Sequence, residues 1–472
     1  MVYRLLAWVL RVATRVFFRQ IEVVGLEHVP ADGPVIFAGN HPNSLIDPVL
    51  IIATCGRKVH FAAKDSLFRG RIMRRLLGGL GAVPIKRRDD RDGDTAPAPA
   101  AAPVDNGAAF AAMFDVLGRG GAIGIFPEGL SHDESQLSRL KTGAARLAIG
   151  GAHRMARAIV IVPCGLTFIH PKRFRSRVLV QYGPPLTVTA AIAEAPDEAR
   201  TVTDEIDASL RRLTINAPDW DTVRALDVVR RLYQPQEISI EERVELARRF
   251  NAYYGAVAAE PRVAALMGRV LAYQERLDEL GVTDRELARD LSKLEVLARV
   301  VRHLVLLAFW LPLTLPGALL HVPPLVFARL ASGRLTPRKD VIATTKLVIG
   351  LLLVLVAYLA AISFLWWAKS LWWALAAALV LPLSGWATLR VLDQLRLVRR
   401  GIGVLVRRLR SRREVAALRG ERAELAVDVI ATVGALTPSD IVPLFPPDPT
   451  EESSRERRDA DLDDVYDRKE HE

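Results

Sequence analysis

The sequence predicts an α/β fold with a mixed, largely parallel sheet flanked by helices, followed by a helical region and a C-terminal transmembrane hairpin. Three observations carry this expectation. Strand-like apolar runs alternate with helical patterns from Ile21 to about Thr214, as in folds whose strands are joined by crossover helices. Residues 216–300 then read as amphipathic helices of charged composition. From Leu304 the chain turns apolar, and Leu347–Ala368 and Leu371–Leu389 are each long enough to cross a bilayer.

Residues 1–20 alternate apolar patches with Arg4, Arg11, Arg15 and Arg19. This reads as a basic amphipathic helix in a membrane interface; the alternative is a first helix of the fold. Arg11 cuts the apolar region short and no small-residue cleavage site follows, which argues against a signal peptide. Residues 21–215 form the α/β domain. Strands are expected at Ile21–Val24, Val35–Ala38, Val59–Ala62, Ala82–Ile85, Ala122–Phe126, Ile159–Phe168 and Val178–Tyr182, and helices at 67–79, 106–118, 138–149 and 190–213. Residues 89–105, rich in Ala and Pro, are expected as a flexible insertion.

The membrane region spans 301–390. Its first part, 304–330, contains Pro312, Pro316, Pro323 and Pro324 and is expected as a re-entrant or interfacial hairpin, with a kinked third span as the alternative. Trp366, Trp367, Trp372 and Trp373 gather where the two clean spans meet, as interfacial aromatics do. Basic residues flank the spans on the other side: Arg334, Arg338, Lys339 and Lys346 before them, Arg390, Arg396, Arg399 and Arg400 after. The positive-inside rule then puts the basic flanks in the cytosol and the Trp-rich turn outside. Residues 391–440 read as a basic helical region and 441–472 as a disordered acidic tail.

With 472 residues the chain has room for two or three domains. Half of it is hydrophobic and its net charge is +11, which calls for an anionic partner. The cations flank apolar spans instead of interleaving with exposed aromatics, so the expected partner is membrane lipid and not nucleic acid. Two cysteines, Cys55 and Cys164, exclude a disulfide framework or a cysteine-rich metal site and fit a reducing, cytosol-facing location. Nothing reads as a metal site or a glycine-rich cradle for nucleotide phosphates, so no cofactor is expected. The Ala- and Arg-rich composition hints at a bacterial origin, and with it at an inner membrane.

Chemistry concentrates in Asn40-His41-Pro42-Asn43-Ser44-Leu45-Ile46-Asp47-Pro48, where a strand hands over to a helix. Asp47 followed by Pro48 looks like an N-cap and first helical position. A neutral imidazole can take a proton from an alcohol, and a nearby carboxylate fixes its tautomer and stabilises the imidazolium. The bland alternative is a helix cap beside a polar turn residue. Three further stretches follow in order: Gly81-Ala82-Val83-Pro84-Ile85-Lys86-Arg87, Phe126-Pro127-Glu128-Gly129 and Val162-Pro163-Cys164-Gly165. Together the four resemble the sequence blocks of the glycerol-3-phosphate and lysophosphatidate acyltransferase family over roughly residues 20–215. The first block is H-x5-D instead of the commoner H-x4-D, a spacing similar to that of a glycerol-3-phosphate branch with H-x-N-x-x-x-D.

The resemblance implies a glycerolipid acyltransferase fold and roles for single residues. His41 would deprotonate the acceptor hydroxyl for attack on an acyl thioester, with Asp47 as its charge partner. Arg87, flanked by Lys86 and Arg88, would bind the acceptor's phosphate, a task suited to a planar guanidinium; a solvated basic loop is the alternative. Glu128, Gly129 and Ser131 would contribute to substrate binding, as would Lys141. Pro163 and Gly165 are expected to shape the acyl channel, and His132, His153 and His170 to be solvated or hydrogen-bonded and not catalytic. The implied reaction moves a fatty acyl group from acyl-CoA or acyl-ACP, as co-substrate, to glycerol 3-phosphate or 1-acylglycerol 3-phosphate. The alternatives are another lysophospholipid or alcohol acceptor, or a non-catalytic lipid-binding membrane scaffold.

Overall fold

The computed structural model describes residues 2–85, 106–233, 239–288, 293–336, 338–410 and 412–436. Lys86, Arg87, Arg88, the 89–105 insertion and the 441–472 tail therefore lie outside the described residues. The chain divides into two compact units, Met1–Asn216 with Lys339–Val341, and Ala217–Arg338 with Ile342–Glu472.

The first unit is built on one eight-stranded sheet: β1 (Phe18–Val24), β2 (Val35–Gly39), β3 (Val59–Lys64), β4 (Val83–Ile85), β5 (Ala122–Ile125), β6 (Ile159–Phe168), β7 (Ser176–Tyr182) and β8 (Leu186–Val188). The order is β1-β7-β6-β2-β5-β3-β4, with β8 paired to β6. The pairs β1–β7, β6–β2, β2–β5, β5–β3 and β3–β4 are parallel, whereas β6–β7 and β6–β8 are antiparallel. The sheet is thus mixed and largely parallel. Central β2 is buried on both faces, which is why Val-Ile-Phe-Ala reads as a continuous apolar run and not as an alternating one.

Six helices cover the sheet: α1 (Val2–Phe17), α2 (Ile46–Thr54), α3 (Arg71–Gly79), α4 (Gly107–Gly118), α5 (Gly143–Met155) and α6 (Pro196–Leu213). Ile36, Ala38, Ile123 and Ile161 from the strands pack with Met113, Leu147, Val202 and Ile206 from α4, α5 and α6. Phe37 points to the opposite face, where its ring meets Tyr182 at 6.0 Å. Helix α1 ends at Phe17, earlier than expected, because Phe18 already pairs in the sheet. It buries Ala7, Ala13, Thr14 and Phe17 while Val2, Leu5, Trp8, Val12 and Val16 form an exposed apolar stripe. Helix α5 starts at Gly143 and not near 138. The Leu137 N–H donates to Asn216 Oδ1 and the Ser138 N–H to Glu128 Oε2, which holds 131–142 out of a helix. Helix α6 begins at Pro196, whose fixed φ suits a first turn.

In the second unit α7 (Trp220–Tyr233), α8 (Ile240–Val257), α9 (Pro261–Leu280), α10 (Asp284–Ala288) and α14 (Arg412–Leu436) share a core of Val228, Leu246, Val270, Tyr273, Leu277, Leu425 and Val429. Three further helices are long and apolar enough to cross a membrane: α11 (Lys293–Leu335), α12 (Ile342–Ala368) and α13 (Leu371–Arg410). Helix α12 turns back into α13 at the tryptophans, and the Tyr358 hydroxyl donates to the Leu381 carbonyl across that hairpin.

Helix α11 is assigned as one 43-residue helix that carries four prolines, but its contacts trace a path in and back. Going away from the Trp-rich turn along α13, Ser384 meets Thr314 and Gly317, Trp386 meets Trp310, and Gln394 meets His303. Along α12 in the same direction, Tyr358 meets His321 and Gly350 lies beside Ala328. Both arms of α11 therefore run on the same side of the apex near residues 314–321. Prolines remove the N–H groups that would stiffen this stretch.

Candidate active site

Parallel pairing brings the first and third sequence blocks together. Strands β2 and β5 are neighbours in register, with Ala38 beside Ile125, so the residues just past their carboxyl ends emerge side by side. In open α/β sheets such strand ends hold ligands. After β2 come Asn40 and His41; after β5 come Phe126, Pro127 and Glu128. Asn40 ties its turn to β6, its side chain exchanging hydrogen bonds with the Leu166 carbonyl and N–H at 3.0 and 2.7 Å.

His41 and Asp47 meet. Nδ1 of His41 lies 2.8 Å from Asp47 Oδ2, and the same oxygen accepts the Asn43 N–H at 2.7 Å. The extra residue in H-x5-D is absorbed at Ser44, whose φ of 48° lies in the left-handed region. That kink lets the carboxylate fold back over the turn. Asp47 is thus not an N-cap: α2 begins at Ile46, and the Asp47 side chain serves the loop before it. Burial pushes the Asp47 carboxyl well above its ordinary range, opposed by the Asn43 N–H. Its other oxygen, Oδ1, has no hydrogen-bond partner among the described residues. Cut off from water, the carboxylate depends on the donors of Asn43 and His41.

With its proton on Nδ1 facing Asp47, the His41 ring presents a lone pair at Nε2, the arrangement a general base needs. The ring stacks on Phe126 at 4.1 Å and 8°, and Phe126 stacks in turn on Phe61 at 5.6 Å. Packing therefore fixes the imidazole plane as firmly as hydrogen bonding fixes its tautomer. The residue stays 8% exposed.

Glu128 is buried and clamps the loop after β5 to His41. Oε1 accepts the His41 N–H at 2.8 Å, while Oε2 accepts the Ser138 N–H at 2.9 Å and pairs with His132 Nε2. The His132 N–H returns a bond to the His41 carbonyl at 3.2 Å. The hydrogen bond to Glu128 raises the His132 pKa, against the effect of burial. Gly129 has a φ of 81°, and a side chain there would collide with the Lys141 ammonium. The left-handed backbone favours glycine here, and its small size leaves room for the end of the Lys141 side chain. Lys141 is anchored through its own N–H to the Pro127 carbonyl at 2.8 Å. Ser131 is buried, and its hydroxyl donates to Asp340 Oδ2 at 2.5 Å. Next to it, Lys172 pairs with Asp133 at 2.7 Å.

The first unit thus gathers His41, Asp47, Glu128, Gly129, Ser131 and Lys141 beyond the carboxyl ends of the central strands β2 and β5. Lys86, Arg87 and Arg88 follow directly after β4, which ends at Ile85. Cys55 and Cys164 are buried thiols; burial pushes Cys55 up to about 11 and raises Cys164 well above the ordinary thiol range, so neither offers a thiolate. His153 meets the Ile192 carbonyl at 2.6 Å and His170 is buried. Among the described residues, no group of three or more His, Cys, Asp or Glu side chains could hold a metal ion. Two residues at the site carry no role in the sequence reading, which names His132 only as solvated or hydrogen-bonded and does not name Asp340. His132 had a faint signal, four positions after Glu128 in the same block. Asp340 had none, because it comes from the connection between α11 and α12.

Residues 20–167 match the model of the Acyltransferase family, and residues 225–441 match that of the glycerol-3-phosphate acyltransferase 2 C-terminal domain. Glycerol-3-phosphate O-acyltransferase 2 of Saccharomyces cerevisiae is 32% identical over 54% of this chain and 37% of its own length. Glycerol-3-phosphate O-acyltransferase 1 of the same yeast is 25% identical over 74% of this chain and 59% of its length. A chloroplastic 1-acyl-sn-glycerol-3-phosphate acyltransferase of Arabidopsis thaliana is 28% identical over 28% of this chain and 33% of its length. The chain therefore spans about a third to three fifths of the length of these relatives. Along one polypeptide, a His–Asp turn on a largely parallel sheet is thus joined by likeness to an Acyltransferase domain over residues 20–167 and to a glycerol-3-phosphate acyltransferase 2 C-terminal domain over residues 225–441.

Proposed function

We propose that the protein is a membrane-bound O-acyltransferase that moves a fatty acyl group from an acyl thioester to the hydroxyl of glycerol 3-phosphate or 1-acylglycerol 3-phosphate. One observation carries the reading: the buried pair of His41 Nδ1 and Asp47 Oδ2 at 2.8 Å. It leaves Nε2 as the base for an alcohol. As the hydroxyl attacks the thioester carbonyl, its proton passes to Nε2, the C–O bond forms and the C–S bond breaks. The proton then leaves with the thiol. Asp47 stabilises the imidazolium that exists between these events, and no acyl-enzyme is required.

Lys141 and the cations at 86–88 are the groups for the acceptor's phosphate, and Ser131 lies in the loop that would face it. Glu128 acts through His41 and His132 by holding both in place. The match of residues 225–441 to a glycerol-3-phosphate acyltransferase C-terminal domain favours glycerol 3-phosphate over its 1-acyl derivative. The acyl donor is acyl-CoA or acyl-ACP, whose shared thioester is all the site chemistry requires. The cationic flanks of the apolar helices support a catalytic unit on the cytosolic face. Lys339–Val341, between α11 and α12, packs within that unit. The exposed apolar stripe of α1 gives it a second hold on the lipid surface.

The test is transfer by the full chain purified in detergent, with one labelled acyl-CoA and either acceptor offered alone. Glycerol 3-phosphate is expected to be the better acceptor, and His41→Ala to lower the rate by about 10²–10⁴-fold. Equal rates in both proteins would remove the general-base role. No transfer by the wild type to either acceptor would favour a lipid-binding scaffold.

A further inference from the structure

Asp340 lies far along the chain from every sequence block, yet it is packed into the first unit and only 6% exposed. A carboxylate is not buried without cost unless partners satisfy it. Here the Ser131 hydroxyl donates to Oδ2 at 2.5 Å, in the range of a charge-assisted O–H···O⁻ bond. Ser131 belongs to the loop 128–133, which is bonded to the His41 backbone at two points. Glu128 Oε1 accepts the His41 N–H, and the His132 N–H donates to the His41 carbonyl. The stretch between those two bonds, Gly129 to Ser131, has a left-handed glycine at its start and the Asp340 bond at its end. The negative charge of Asp340 also reaches His132 and Asp133, raising the pKa of each, behind the larger effects of the Glu128 hydrogen bond on His132 and of burial on Asp133.

We propose that Asp340, carried by the connection between two membrane helices, is a positioning residue of the acceptor subsite: through the Ser131 hydroxyl it holds the 129–131 loop against the base. The inference rests on the acyl-transfer reading above for what the subsite binds. It implies that the acyltransferase domain is incomplete without the membrane region, because one of its positioning groups comes from there. His41 is held by β2, Phe126 and Asp47 as well as by Glu128 and His132 at the two ends of the loop, so loss of Asp340 loosens the 129–131 stretch and leaves the base in place.

The experiment compares full-length wild type, Asp340→Ala, Asp340→Asn, Ser131→Ala and the Asp340→Ala/Ser131→Ala double variant, with His41→Ala as the activity control. Asp340→Ala is expected to raise the acceptor KM by about tenfold, with kcat and the acyl-donor KM little changed. Asp340→Asn, whose amide oxygen still accepts the Ser131 hydroxyl, recovers most of that loss. The double variant is no worse than either single one, as two ends of one bond require. Hydrogen exchange of the peptide covering 128–138 is measured on the same samples and rises in Asp340→Ala. An unchanged acceptor KM in a folded Asp340→Ala, or full additivity in the double variant, overturns the proposal. If the wild type transfers no acyl group, the acyl-transfer reading fails, and exchange alone then decides whether Asp340 holds the loop: unchanged exchange overturns that as well.

Discussion

At the scale of single residues, the site depends on how few donors satisfy its buried charges. Asp47 Oδ2 takes two donors while Oδ1 has none among the described residues, and Glu128 takes three partners on two oxygens. His132 gives this arrangement a pH signature. Its pKa is raised in the folded protein, chiefly by the hydrogen bond with Glu128. The stabilisation is fully present below the ordinary imidazole value of about 6.5 and is lost as pH climbs through the raised folded value. Thermal unfolding of the detergent-solubilised protein is therefore expected to show a midpoint that falls above about pH 6.5. His132→Gln should flatten that fall; an equally steep fall in the variant would assign it to other groups. His41, Asp47 and Glu128 were legible as chemistry because each sits in a block whose spacing survives in one dimension. His132 reads from the sequence as solvated or hydrogen-bonded, and nothing there says that its partner is Glu128.

At the scale of elements, strand assignments followed from apolar runs, and the parallel neighbours β2 and β5 account for the meeting of His41 with Glu128. The departures have local causes. The stretch 131–142 reads as partly helical, but its N–H groups are claimed by Asn216 and Glu128. Strand β8 is too short to leave a pattern. Helix α11 shows how an apolar environment handles a break: the Ser384 hydroxyl donates to the Thr314 carbonyl at 3.0 Å and accepts the Gly317 N–H at 3.0 Å. In lipid, backbone groups left open where a helix breaks must find such a partner. Ser384→Ala is expected to cost about 1 kcal/mol in unfolding measured in detergent micelles. No loss would mean that neighbouring groups close the break without it.

At the scale of the whole molecule, charge and hydrophobicity are segregated along the chain, and the proposed topology rests on that segregation. The turn Trp366–Trp373 carries a single cation, Lys369, whereas both opposite flanks are strongly basic. In sealed vesicles a membrane-impermeant thiol reagent is expected to reach Ser370→Cys from one face and Arg338→Cys from the other. The buried native thiols Cys55 and Cys164 keep the background low. Labelling of both from the same face would contradict the positive-inside reading.

By itself the sequence determined the fold class, the His41–Asp47 pair, the third-block loop and the apolar helices, because each is written in residues near one another: periodicity, a strand-to-turn handover, a run of apolar side chains. Only the tertiary structure decided what holds those pieces together. Asp340 meets Ser131 across 209 positions, and Ser384 meets Thr314 across 70. A hydrogen bond is specific at a few ångströms of space whatever the length of chain between its partners, so no pattern along the chain announces it.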